Sequence, residues 1–312
     1  MPPQPGPINR ILITGASGFV GRHLMTALGA AFPGAALLTP RFDVRDAAAT
    51  EQTVRAAAPD ACVHLAAVAA VPQAQREPDL AWDVNLRGTL NLARALLAHA
   101  PGCTLLYPSS GEAYGASFKS GVALTEDAAQ QPMNTYGATK AAADIALGAL
   151  GSSEALRVIR ARPFNHTGPG QSADFAIPAF ARQVMLVALG RQPPVLRVGA
   201  LDALRDFLDV RDVCDAYVRC LQHAASLPPG VVLNIASGTP RRIGDVLDAL
   251  IRVARVNVKV ELDPARLRPS EIPSATGDAS RARDLLGWAP RIPWEQTLTD
   301  VLADWRNRAA AG

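Results

Sequence analysis

Tyr136 and Lys140 lie four residues apart in Tyr136-Gly137-Ala138-Thr139-Lys140, in a chain with only three lysines and four tyrosines. On a helix, positions i and i+4 share a face, with Cβ atoms roughly 6 Å apart. An ammonium at that distance favours phenolate and lowers a tyrosine pKa from its usual value near ~10. The spacing predicts that Tyr136 donates a proton to a carbonyl oxygen near neutral pH. Upstream, Ile11-Leu12-Ile13-Thr14-Gly15-Ala16-Ser17-Gly18-Phe19-Val20-Gly21 runs from an apolar strand through three glycines into a helix. Glycines at such a turn let the backbone approach a pyrophosphate, and the helix N-terminus supplies free N–H groups and partial positive charge. Gly15, Ser17, Gly18, Phe19, Val20 and Gly21 are therefore the expected cradle of a dinucleotide.

NAD sites usually carry an acid at the end of the second strand to hold the ribose hydroxyls. Here that end reads Leu38-Thr39-Pro40-Arg41, with no acid until Asp43. Arg41 and Arg22 are the expected partners of a 2′-phosphate, which favours NADP(H) over NAD(H).

These side chains need a frame to bring them together. The first half alternates short apolar runs with helical patterns, as a parallel sheet covered by helices does. Strands are expected near 10–14, 36–39, 62–65, 104–107 and 157–161, and helices near 20–30, 47–58, 79–100 and 136–150. The fold class is α/β, a Rossmann-type doubly wound parallel sheet with a smaller α/β C-terminal substrate lobe. Residues 1–165 are expected to hold the dinucleotide and 166–312 mainly the substrate, with a segment near 207–236 returning to the first domain. Helices of the smaller lobe are expected near 243–253, 279–286 and 294–306.

Composition excludes several function classes. No apolar run reaches the ~18 residues of a membrane span, and the proline-rich start Met1-Pro2-Pro3-Gln4-Pro5-Gly6-Pro7 reads as a loose tail without a secretory signal. The net charge of +3 is spread along the chain with only 5% aromatic residues, which argues against a nucleic-acid partner. Cys62, Cys103, Cys214 and Cys220 sit in apolar segments without Cys-x-x-Cys spacing and read as core residues of a cytoplasmic protein. The five histidines have no zinc-type spacing, so no metal is expected.

With a serine upstream of Tyr-x-x-x-Lys and the glycine turn, residues 10–306 resemble the extended short-chain dehydrogenase/reductase family of nucleotide-sugar enzymes. The resemblance implies that Asp43 and Val44 hold the adenine and that Leu65, Ala66 and Ala67, after His64, line the cofactor. Counting back from Tyr114-Gly115, Ser110 takes the place of the catalytic serine or threonine, and Lys140 also holds the nicotinamide ribose beside Tyr136. His64 and Asn85 read as mainly structural. The stretch Arg162-Pro163-Phe164-Asn165-His166-Thr167-Gly168-Pro169-Gly170-Gln171 resembles the one lining the nicotinamide and sugar-nucleotide pockets of GDP-hexose enzymes. It implies Pro163 at the cofactor and Asn165 at the substrate diphosphate. Asp202 to Phe207 and Arg268-Pro269-Ser270-Glu271 resemble the GDP-binding elements of GDP-mannose 4,6-dehydratases and GDP-4-keto-6-deoxy-D-mannose reductases. Arg205 and Arg268 would pair with phosphate oxygens and Glu271 with ribose hydroxyls or substrate, the alternative being arginines bonded to loop carbonyls or neighbouring acids.

Between the chemistries this resemblance allows, the residues after Ser110 decide. A dehydratase needs an acid and a base there, and the chain has Gly111 and Glu112. Glycine cannot donate a proton, which favours a reductase, with Glu112 facing the substrate. The expected reaction is NAD(P)H-dependent reduction of the C4 ketone of GDP-4-keto-6-deoxy-D-mannose to GDP-D-rhamnose. The alternatives are a GDP-mannose 4,6-dehydratase, a UDP-sugar 4-epimerase, or a dinucleotide-binding regulator without catalysis. A homodimer is expected through a four-helix bundle of the Tyr136 helix, with Ile145, Leu147 and Leu150, and the helix near 79–100.

Overall fold

Strands covered by helices on both faces have no solvent side, so they read as unbroken apolar runs. In the computed structural model, which describes residues 6–154, 156–266 and 272–311, Ile11, Leu12 and Ile13 of Arg10–Thr14 (β1) are all buried. Helix Phe19–Ala31 (α1), strand Ala36–Leu38 (β2), helix Ala47–Ala57 (α2) and the wholly buried strand Ala61–His64 (β3) follow. Short helices Val71–Arg76 (α3) and Pro78–Trp82 (α4) lead through a π-helical turn, Asp83–Gly88, into Thr89–His99 (α5). Thr104–Pro108 (β4) precedes Thr135–Ser153 (α6) and Val158–Pro163 (β5). Side-chain oxygens set where helices begin: Asp46 accepts from Ala49 N at α2, and Asn134 accepts from Gly137 N at α6.

The second half runs through Asn165–Thr167 (β6), Ala176–Ala188 (α7), Val195–Val198 (β7), Leu204–Asp209 (β8) and Val210–Gln222 (α8). Val232–Ile235 (β9), Pro240–Arg242 (β10), Ile243–Ala254 (α9) and Lys259–Leu262 (β11) come next, then Ser274–Ala275 (β12), Ser280–Leu286 (α10) and Trp294–Ala311 (α11). Six parallel strands form one sheet in the order β2-β1-β3-β4-β5-β9. The direction of winding reverses between β1 and β3, and such a reversal opens a crevice at the carboxyl ends of the strands.

Ile11, Ile13, Leu24, Val213 and Tyr217 form one core, and Leu12, Leu92, Leu105, Tyr107 and Leu147 another, so α1 and α8 cover one face and α5 and α6 the other. A second sheet joins β8 to β6, β10 and β12, and α7, α9 and α11 pack around Val184, Leu250 and Val301. All four cysteines are buried and unpaired. Among the described residues no helix is long and apolar enough to cross a membrane, and no cluster of metal-binding side chains occurs.

Two expectations change. The helix expected over 79–100 runs without a gap over 78–99 but widens into the π-helical turn at 83–88, where Asn85 is buried. Its amide bonds both backbone groups of Val68, and Gly88 lies so close to Val44 that a Cβ there would come 2.6 Å from Val44 Cγ2. Of the three apolar residues expected in a subunit bundle on the Tyr136 helix, Leu147 is fully buried and Leu150 packs against the same core, while Ile145 is 61% exposed.

Candidate active site

The glycine turn after β1 is held from below. Thr14 Oγ1 accepts Ala66 N at 3.1 Å and meets His64 Nδ1 at 2.7 Å, which locks β1 to the end of β3. Thr89 gives its hydroxyl proton to Asn85 O at 2.7 Å, so the bond between His64 Nε2 and Thr89 Oγ1 must be donated by the imidazole. His64 Nδ1 is then the acceptor from Thr14. Burial, with Lys140 nearby, depresses His64 to about 3 and keeps it neutral.

Gly15 has φ +69°, and a Cβ on it would come 2.7 Å from Ala66 N. Gly21 packs on the Ala16 carbonyl with no room for a side chain. Gly18 caps α1 without any side-chain hydrogen bond, and no acid sits in its first turn. The N–H groups at Phe19, Val20 and Gly21 are thus available to an anion, as a pyrophosphate requires. Ser17 lends its carbonyl to Arg22 Nη1 at 2.8 Å, and Arg22 Nη2 reaches Gly170 O at 2.9 Å. Arg22 is therefore a tie between the glycine turn and the Gly170 turn, while Arg41, the other arginine expected at a 2′-phosphate, is exposed after β2. Phe19 stacks on His166 with ring centroids 6.2 Å apart. Arg45 grips Asp43 in a two-pronged contact and holds its carboxyl below the usual range. Val44 is buried, and Leu65, Ala66 and Ala67 are half-buried beyond β3.

The reactive side chains gather at the carboxyl ends of β4 and β5 and the start of α6. Ser110 is 7% exposed and its Oγ accepts Glu112 N at 3.1 Å. Tyr136 lies half-buried in the first turn of α6, and Lys140 is 5% exposed one turn on. Burial pushes the Tyr136 phenol up to about 12; hydrogen bonding with Ser110 acts in the opposite direction, and the Glu112 charge adds to the rise. Burial draws Lys140 down to about 7, against the attraction of Asp144. The sequence-based expectation of a phenol acidified by Lys140 is thus not the balance this fold strikes. Burial dominates, and at neutral pH the Tyr136 phenol keeps its proton.

Asn134 Nδ2 donates to Glu112 Oε2 at 3.0 Å while its Oδ1 caps α6. Burial lowers Arg205, and the Glu112 charge acts in the opposite direction. Arg205 Nη1 also donates to the carbonyls of Leu204 and Ile272 at 2.7 and 3.2 Å. Pro163 closes β5 in the interior, and Asn165 opens β6 half-buried beside it. Arg268 and Glu271 lie outside the described residues.

Residues not anticipated from sequence hold this site. Asp144, fully buried one turn past Lys140, pairs with Arg160 at 3.0 Å and Arg162 at 2.9 Å. Arg162 also donates to Tyr114 OH and Glu126 O, and Tyr114 donates to Asn234 Oδ1 on β9. The signal was present: an acid four residues after Lys140 in an alanine-rich helix, and two arginines at alternate positions of an apolar strand. Asp144→Asn leaves two guanidinium groups in a buried site without their counter-charge. Urea denaturation should show a loss of about 3 kcal/mol.

The GDP-mannose 4,6 dehydratase family model matches residues 35–301. GDP-6-deoxy-D-mannose reductase of Pseudomonas aeruginosa is 40% identical over 96% of this chain and 98% of that protein. UDP-glucose 4-epimerase of Rhizobium meliloti is 27% identical over 97% of this chain and 99% of that protein. The solved structure of RMD from Pseudomonas aeruginosa complexed with NADPH superposes with a TM-score of 0.89 at 38% identity, covering 96% of this chain and 100% of that one.

Proposed function

The chain belongs to the GDP-mannose 4,6 dehydratase family, within the extended short-chain dehydrogenases/reductases, and from that premise we propose that it reduces the C4 ketone of GDP-4-keto-6-deoxy-D-mannose with NADPH to give GDP-D-rhamnose. The observation that carries this reading is the protonated phenol of Tyr136 beside Ser110, with Gly111 where a dehydratase needs an acid. The 40% identity to a GDP-6-deoxy-D-mannose reductase supports the same substrate class.

The glycine turn, the uncapped start of α1 and the sites at Asp43, Val44, Leu65, Ala66, Ala67 and Pro163 hold the dinucleotide. Arg41 meets its 2′-phosphate. Bound NADPH supplies the hydride. Ser110 Oγ, which accepts from Glu112 N, keeps its own proton to donate to the ketone oxygen. Tyr136 then gives its phenolic proton to the alkoxide that forms at that oxygen. Lys140 holds the nicotinamide ribose and offsets the negative charge left on the phenol. Glu112 and Asn165 orient the sugar and diphosphate, while Arg205, Arg268 and Glu271 bind the GDP moiety.

Residues 1–165 serve the dinucleotide and 166–312 mainly the GDP-sugar, with 207–236 shared back to the large sheet. The protein works in the cytoplasm as a homodimer, for which exposed Ile145 on α6 supports a helical interface.

With GDP-4-keto-6-deoxy-D-mannose, absorbance at the nicotinamide band should fall in proportion to sugar consumed. With GDP-mannose alone it should stay flat and no keto sugar should form. Keto-sugar formation from GDP-mannose without net NADPH oxidation would establish the dehydratase instead, a reading that Glu112 and the matching family model favour. A UDP-sugar 4-epimerase would retain NAD through purification.

A further inference from the structure

Tyr107 on β4 is 1% exposed, and its hydroxyl has no hydrogen-bond partner among the described residues. A buried tyrosine whose hydroxyl is unused offers nothing over phenylalanine except a cost of desolvation, so its contribution lies in the ring. Lys140 Nζ sits 4.5 Å from the centroid of that ring, within the reach of a cation–π contact.

The other groups around Lys140 do not compete for its charge. On α6, Asp144 attracts the ammonium but is itself paired with Arg160 and Arg162 of β5. On β3, His64 is neutral. Tyr136, one turn back on α6, is a neutral phenol. No ion pair or hydrogen bond to Lys140 Nζ occurs among the described residues, which leaves the Tyr107 ring as its direct electrostatic neighbour.

We propose that Tyr107 is a positioning residue for the reduction: its ring face holds Lys140 as an ammonium in a buried site and so sets the alkaline limit of NADPH binding and turnover. For turnover the inference rests on the reductase reading; NADPH affinity tests it separately. Lys140 is drawn to about 7 by burial, so any change in attraction shows at accessible pH.

The sign is definite. Weakening the ring face removes attraction for the charged form, the ammonium is lost at lower pH, and the alkaline fall in affinity moves down. NADPH fluorescence titration across the neutral and alkaline range reads this limit, with the turnover profile measured beside it. Tyr107→Phe should keep the wild-type limit, and Tyr107→Leu should lower it by about one pH unit. Should the leucine variant fail to fold, a graded series of ring-fluorinated phenylalanines at 107 changes the ring charge with little change of shape, and the limit should step down with each fluorine. A limit indifferent to fluorination, or one displaced as far by Phe as by Leu, overturns the proposal. If the NADPH limit follows the series but the GDP-keto sugar is not reduced, the substrate assignment fails and the role of Tyr107 stands.

Discussion

Tyr136→Phe is expected to lower kcat by about 10³-fold and leave NADPH affinity unchanged. In the proposed reduction the phenol is the acid: burial raises it to about 12, so at neutral pH it carries the proton that the reduced ketone would receive. Phenylalanine deletes that proton and little else. The ring of Tyr136 packs against Val68, Ala74 and Ala81, contacts that the variant keeps. Ser110 still donates to the ketone, which accounts for residual turnover. Steady-state NADPH oxidation with the GDP-keto sugar and a fluorescence titration of NADPH together make the test. Parallel loss of binding and turnover would mean that Tyr136 supports the fold and not the chemistry.

Gly15→Ala is expected to weaken NADPH binding by about 100-fold, some ~2.7 kcal/mol. Two effects add at this position. The backbone lies at φ +69°, where an L side chain is strained, and the new Cβ would come 2.7 Å from both Ala66 N and Leu65 C. Those are backbone atoms fixed by Thr14, so no flexible side-chain end can move aside. The turn must shift away from β3, carrying with it the N–H groups assigned to the pyrophosphate under the proposed function. Gly29→Ala on the same α1 is the control: nothing lies within 4 Å of its Cβ, and binding should be unaffected. Equal NADPH affinity in the two variants would refute the assignment of the Gly15 turn as the cradle.

The parts of the fold that were legible in sequence are those where local pattern and burial agree. Ile11, Leu12 and Ile13, and likewise the run from Ala61 to His64, are buried as continuous stretches because both sheet faces are covered. The helix expected near 136–150 is α6, which begins at Thr135. Tyr136 and Lys140 fall on one helix face as their spacing requires. What was hidden depends on tertiary contact. The π-helical turn carries Asn85, which bonds the backbone of Val68, seventeen residues away along the chain. The protonation of Tyr136 and Lys140 follows from how deeply they are buried, which four-residue spacing does not report. Arg22 reads as a 2′-phosphate partner until the Gly170 carbonyl is placed against it, 148 residues downstream. The short strands β6, β10 and β12 of the second sheet have two or three residues each, too few for an alternating pattern to register.

The two-ended use of Asn134 narrows what evolution or design can place there. A primary amide of that length is an acceptor at one tip and a donor at the other, so a single residue serves a helix backbone and an acidic neighbour at once. Aspartate would serve the first client and repel the second; serine would serve the first and fall short of the second. Drift at position 134 should therefore spare the architecture while misaligning the carboxylate of Glu112, a change visible to substrate long before it is visible to denaturant.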